Sequence, residues 1–213
     1  MMKTTAIFIG LALAGSASAQ IFSFGIKAGL PLADAYQMNF SGVYQRRYTI
    51  GPTAELHLPL HLSFEVDALY RRSGWGSTFS GFPFGPPPYG PVEIVTRSRI
   101  DDWEIPFLAK WAPGVGPIRP FIDAGVSYRH LSGFSSAEFF APIGSPSPIG
   151  GSGVGNPNAA GATVGGGLTL KLLVIRISPE IRYTHWGSTT FVGLYNAINT
   201  SANQADFLVG LTF

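Results

Sequence analysis

The chain reads as all-β: an eight-stranded antiparallel up-and-down barrel that crosses a membrane, with long outer loops and short turns at the other end. Three observations predict this. Eight segments of roughly ten residues alternate apolar with small or polar side chains, the period of a strand with one oily face. Charged residues make up 12% of the chain, about half the ~25% usual for a soluble domain. No segment beyond the N-terminal region holds a run of ~18 apolar residues, so those residues cannot cross a membrane as helices.

Met1 Met2 Lys3, the apolar run Ala6 to Ala14, and Ala17 Ser18 Ala19 have the three parts of a secretory signal peptide. Residues 1–19 are expected to be cleaved, leaving 20–213 as one barrel domain. The chain has no Cys, so a disulfide framework and a lipoprotein anchor are both excluded. A formal net charge of +2 is too balanced to suggest nucleic acid.

The first strand sets Phe22, Phe24, Ile26, Ala28 and Leu30 against Ser23, Gly25, Lys27 and Gly29, and Pro31 is expected to end it. A loop over 32–47 leads to the second strand, Tyr48 to Leu58, and Pro59 Leu60 make a tight turn. The third strand runs Leu62 to Arg72. A Gly- and Pro-rich loop over 73–96 follows, because Gly85 Pro86 Pro87 Pro88 cannot join a ladder. The fourth strand turns Trp103, Ile105, Phe107, Ala109 and Trp111 to one side, and the fifth, Arg119 to His130, follows a short turn over 113–117. The longest loop, 131–160, is Gly-, Ser- and Pro-rich. The sixth strand (Ala162 to Lys171) and the seventh (Ile175 to Thr184) flank a turn near Leu173. A last loop, 187–202, precedes the eighth strand, which ends at Phe213. Long and short connections therefore alternate.

Charge orients the faces. Lys27, Arg71, Lys110, Arg119, Arg129, Lys171, Arg176 and Arg182 share the polar parity with Glu55, Glu65, Asp67, Glu104, Asp123, Glu180 and Asp206. Their near-cancellation suits a closed lumen in which each buried charge has a partner, with Asp206 facing Lys27 across the closing seam. Between strand ends the other parity carries no charge. It carries aromatics at its two ends: Tyr48, Tyr70, Trp103, Tyr128 and Tyr183 toward the long loops, and Phe22, Trp111 and Phe213 toward the short turns. Trp103 and Trp111 are eight residues apart, about 26 Å at ~3.3 Å per residue, which fits two girdles bounding a lipid-facing band.

The stretches Trp103 Glu104 Ile105 Pro106 Phe107 Leu108 Ala109 Lys110, Arg119 Pro120 Phe121 Ile122 Asp123 Ala124 Gly125, and Phe207 Leu208 Val209 Gly210 Leu211 Thr212 Phe213 carry a resemblance. The chain resembles small eight-stranded bacterial outer-membrane proteins of the OmpA-barrel and OmpX type. More closely it is similar to the PorT-like outer membrane protein beta-barrel domain family. That resemblance implies a monomer in the outer membrane, in contact with its lipid and with no cofactor. It also implies a closing strand whose Phe207, Val209, Leu211 and Phe213 are read by the barrel-assembly machinery, and loops that meet an envelope or extracellular partner.

Catalytic signals are sparse. Gly151 Ser152 Gly153 Val154 Gly155 lacks the last Gly of a dinucleotide fingerprint, and Pro59 denies His57 and His61 a shared helix face. Asp101, Asp102 and Glu104 could attract a cation at the outer rim, but acids at a strand start are expected to be simply solvated. Arg182 Tyr183 Thr184 His185 Trp186 Gly187 Ser188 resembles the His and Ser neighbourhood of outer-membrane lipid A deacylases, implying His185 as base and Ser188 as nucleophile. That family separates its His and Ser by one residue, whereas two intervene here. Girdle residues are the expected role for His185 and Trp186. A structural barrel with interacting loops is the expected function, with a lipid-modifying enzyme and a narrow pore as the alternatives.

Overall fold

The computed structural model describes residues 21–38, 44–81, 92–141, 156–188 and 198–213. The expected signal peptide and the Gly- and Pro-rich centres of the long connections lie outside these residues.

The elements are β1 (Phe22–Ala33), β2 (Tyr36–Met38), β3 (Tyr44–His57), β4 (Leu62–Asp67), β5 (Leu69–Gly81), β6 (Val92–Trp111), β7 (Ile118–Ala141), β8 (Asn158–Leu172), β9 (Ile175–Trp186), β10 (Ile198–Thr200) and β11 (Asn203–Thr212). β4 and β5 form one stave, interrupted at Ala68. There the facing residue is Pro52, which has no N–H to give; its carbonyl takes the Ala68 N–H at 3.0 Å. Counted this way, eight antiparallel staves close on themselves, because β1 pairs with both β3 and β11. The seam matches Gly25 to Thr212 and Leu30 to Phe207. β2 and β10 pair as a separate two-stranded ribbon.

Several staves run further than hydrophobic alternation alone suggests. β5 and β6 stay paired out to Gly81 and Val92, and β6 and β7 out to Glu93 and Ala141, inside segments expected to be loops. There the sequence loses its apolar–polar alternation while ladder hydrogen bonds continue. Pro31 does not end β1 either. It pairs with Asp206 at a register shift, past Gly29, the last residue matched to β3, so its missing N–H costs only one side of the strand.

Burial is inverted relative to a soluble barrel. Phe24, Ile26, Ile122, Val126, Val164 and Ile181 point outward and are each more than half exposed. Lys27, Glu65, Asp67, Arg71, Glu104, Asp123, Arg129, Glu180, Arg182 and Asp206 point inward and are buried. At the turns opposite the long connections, Leu60, His61 and Leu173 take positive φ, as do Gly114 and Gly116.

Glycines let staves approach closely. A Cβ on Gly125 would lie 2.0 Å from the carbonyl oxygen of Phe107, whereas one on Gly133 would meet nothing nearer than 3.9 Å. Gly125→Ala should therefore lower the unfolding free energy of the refolded barrel in micelles by about 1–3 kcal/mol, the cost of overpacking. Gly133→Ala should leave the urea midpoint unchanged.

Candidate functional site

The inward parity meets in the lumen, where it forms two tiers. In the tier nearer the short turns, Arg182 of β9 donates to Glu180 at 2.5 Å, Asp67 at 2.8 Å and Glu65 at 2.9 Å. Lys27 donates to Glu65 and, at 2.9 Å, to Glu180, with Asp67 3.4 Å away. Lys110 reaches Glu65 at 3.1 Å and Glu55 at 3.7 Å and lies over the Phe121 ring. β9 and β4 are four staves apart in the ring, so Arg182 braces opposite walls. Both Asp123 carboxylate oxygens are buried without a hydrogen-bond partner among the described residues.

In the outer tier Arg71 grips Asp206 with both Nη groups, at 2.9 and 2.8 Å, and Glu104 at 3.2 Å. Gln204 donates to Glu104 and Asp206, each at 2.9 Å, and accepts the Trp186 Nε1–H at 3.0 Å. The Arg129 guanidinium stacks 4.2 Å from the Trp186 ring. A hydroxyl chain, Ser127 to Thr163 at 2.6 Å and Thr163 to Thr184 at 3.1 Å, lies on β7, β8 and β9. Asp34, past the end of β1, sits 3.4 Å from Ser73 and 3.5 Å from Arg47. Burial raises its carboxyl pKa, while Arg71 and Arg47 pull the other way.

This arrangement corrects several expectations. Asp206 pairs with Arg71 and not with Lys27, because Lys27 lies opposite Gly210, four residues along the seam. Asp102 is buried, not solvated, and Trp186 is a lumen residue, since it shares the parity of Arg182 and Thr184. Arg119, Lys171 and Arg176 do not join either tier; they line the mouth at the short-turn end. There the His57 Nε2 accepts from Arg176 at 2.7 Å and from Ser23 at 3.0 Å, leaving its proton on Nδ1, toward Glu55 at 3.7 Å.

Of the aromatics singled out, Phe22, Tyr48, Trp103, Trp111, Tyr128, Tyr183 and Phe213 are exposed, and Tyr70 is intermediate. Tyr48, Tyr70 and Trp103 form a contiguous row, with ring centroids 6.4 and 5.5 Å apart. In the closing strand Phe207, Leu211 and Phe213 are exposed and Val209 is intermediate.

His185 and Ser188 are not hydrogen-bonded to one another among the described residues. The His185 Nδ1 instead bonds Asn203 Oδ1 at 2.9 Å, and the Tyr183 hydroxyl donates to the same oxygen at 2.7 Å. The cluster is repeated on the neighbouring hairpin: His130 Nδ1 and the Tyr128 hydroxyl both bond Asn158 Oδ1 at 2.7 Å. The two asparagines escaped the sequence reading, although Tyr-x-His followed by a cross-strand Asn occurs twice. The one-residue His–Ser spacing also occurs, at His130 Leu131 Ser132, but the Ser132 hydroxyl donates to the Asp101 carbonyl at 2.9 Å.

No protein-family model matches the chain, and no curated protein matches it. Among solved structures it is similar to Neisserial surface protein A, NspA, at 13% identity and a TM-score of 0.50, over 90% of this chain and 94% of that one. It is also similar to the N-terminal β-barrel domain of Pseudomonas aeruginosa OprF, at 10% identity and a TM-score of 0.40, over 91% and 98% of the two chains. A third similar structure is Ail, the attachment invasion locus protein of Yersinia pestis, in complex with the heparin analogue sucrose octasulfate. Its identity is 6% and its TM-score 0.39, over 90% and 94%. At such identities the likeness is one of fold.

Removing Arg182 takes a guanidinium partner from three buried carboxylates and leaves them to Lys27 and Lys110, whereas Arg99 pairs with Asp101 at an exposed edge. Arg182→Ala should cost roughly 3–5 kcal/mol in urea unfolding, and Arg99→Ala should leave the midpoint where it was.

Proposed function

We propose that the chain is a bacterial outer-membrane β-barrel with a side-chain-filled lumen. Its role is structural and surface-interacting, exerted through the strands and connections beyond the outer aromatic girdle. The observation that carries this reading is the inversion of burial. An apolar belt running round the whole barrel far exceeds the few hundred Å² of apolar patch that soluble monomers expose. In hydrocarbon the same belt is well solvated, and the absence of Lys and Arg from it is required.

Further support comes from the two aromatic rows at the ends of the belt and from the fold shared with a Neisserial surface protein. The narrower PorT-like likeness rests on residues 103–110, 119–125 and 207–213 alone. In this reading the chain is a monomer whose neighbour is outer-membrane lipid. Its closing strand, with Phe207, Val209, Leu211 and Phe213, addresses the assembly machinery. The ribbons of β5, β6 and β7 carry contacts to an envelope or extracellular partner. Tyr128, His130 and Asn158, like Tyr183, His185 and Asn203, act as interfacial anchors: each Asn holds a Tyr and a His at headgroup depth.

Ala124 faces outward four residues from Tyr128, near the middle of the belt. Ala124→Lys should destabilise the barrel in lipid vesicles by about 2–4 kcal/mol. An exposed alanine of a water-facing barrel would accept lysine within about 0.5 kcal/mol, and that result would overturn the reading. Removing Phe213 should lower the amount recovered folded in the outer-membrane fraction, scored by heat-dependent gel mobility. His130→Ala with His185→Ala should leave lipid A acylation on overexpression unchanged; a loss of acyl-chain removal would restore the enzyme alternative.

A further inference from the structure

At the end bearing Phe213 and the turns near Leu60 and Leu173 the lumen opens into a cavity of about 280 Å³. Lys110, Arg119, Lys171 and Arg176 line it against one acid, Glu55. Lys110 is held by Glu65 and Glu55, and Arg176 donates to His57. Arg119 gives its Nε–H to the Gly116 carbonyl at 3.2 Å. Neither Arg119 nor the exposed Lys171 has an ion-pair partner among the described residues. The Thr169 hydroxyl accepts from Ser178 at 3.3 Å, so its own hydrogen is left to give.

Arg119 and Lys171 are not part of the ion pairing above them. The buried lumen holds Lys27, Arg71, Lys110, Arg129 and Arg182 against Asp34, Glu65, Asp67, Asp102, Glu104, Asp123, Glu180 and Asp206, an excess of acid. Yet Arg119 and Lys171 stay at the mouth, in no salt bridge with that acid among the bridges described. Two guanidinium forks, one ammonium and hydroxyl donors converge on one open space. Such a set matches an anion with several acceptor oxygens around one centre. The volume lies at the lower end of ligand pockets, so the occupant is small.

We propose that this mouth binds a small phosphate-bearing anion, its oxygens taken by Arg119, Lys171 and Arg176. Supply of the anion from the periplasm rests on the outer-membrane reading. Binding itself does not, so the test uses purified protein and its failure leaves that reading standing.

The probe is inorganic pyrophosphate, titrated calorimetrically at constant ionic strength into the full folded chain in neutral-detergent micelles, with citrate as the carboxylate counterpart. Saturable 1:1 binding of pyrophosphate, tighter than citrate, is expected. Lys171→Gln should weaken it at least tenfold, and Arg119→Gln with Lys171→Gln should abolish it, while Arg99→Gln at the opposite end leaves it unchanged. Lys171 is exposed at the end of β8, so Lys171→Gln keeps the test valid if the double variant misfolds; gel mobility reports folding in each case. No saturable heat, equal weakening by Arg99→Gln, or citrate binding as tightly as pyrophosphate would overturn the proposal.

Discussion

Everything in this barrel answers to the bracing of its lumen by ion pairs that span non-adjacent staves. Arg182 on β9 holds Asp67 and Glu65 on the opposite wall, and Lys27 on β1 ties Glu65 to Glu180 between them. In the proposed membrane placement, lipid outside gives no hydrophobic drive for the wall to contract. Ladder hydrogen bonds fix neighbouring staves, but they do not set how far apart opposite walls stand. Buried charges do, because each must find an opposite charge or bear its full desolvation cost. The guanidinium of Arg182, with three acceptors in its plane, sets that distance more stiffly than a single pair could.

Glycine makes room for these spokes. Gly165 on β8 lies where a Cβ would come within 2.5 Å of the Asp123 carboxylate and 3.1 Å of Glu180, so side chains from flanking staves occupy its place. At the outer tier the filling is aromatic, Trp186 beneath Arg129, with Gln204 relaying the indole N–H to the Arg71 cluster. A continuous solute path would have to displace both Arg182 and Arg71 from bonds of 2.8 to 3.2 Å. The pore alternative therefore carries a large energetic cost in this conformation.

How much could be read from the sequence depended on which physical quantity each feature expresses. Parity is local, so the inward set from Lys27 to Asp206 and the eight staves were legible from a two-residue period and the chemistry of each face. Depth is not local. The partner of Asp206 depends on the register of strands far apart in sequence, and the match of Pro31 to Asp206 puts it beside Arg71 and well above Lys27. The extensions of β5, β6 and β7 were illegible for another reason: their sequence loses the apolar–polar alternation while backbone pairing goes on. Trp186 was legible by parity, but the habit of Trp at interfaces points the other way. The Asn158 and Asn203 clusters needed cross-strand register as well as a repeat.

The two tiers lie between the short-turn mouth and the outer extensions of the strands. Solvent-exposed charges at the short-turn mouth and on the outer extensions lie more than a Debye length apart, ~8 Å at physiological salt, so salt screens one end from the other. Coupling between them would need a bistable element, and the Arg182 spoke is tied to three carboxylates at 2.5 to 2.9 Å. The proposed contacts of the outer strands and the proposed anion at the basic mouth would on this ground be independent of one another.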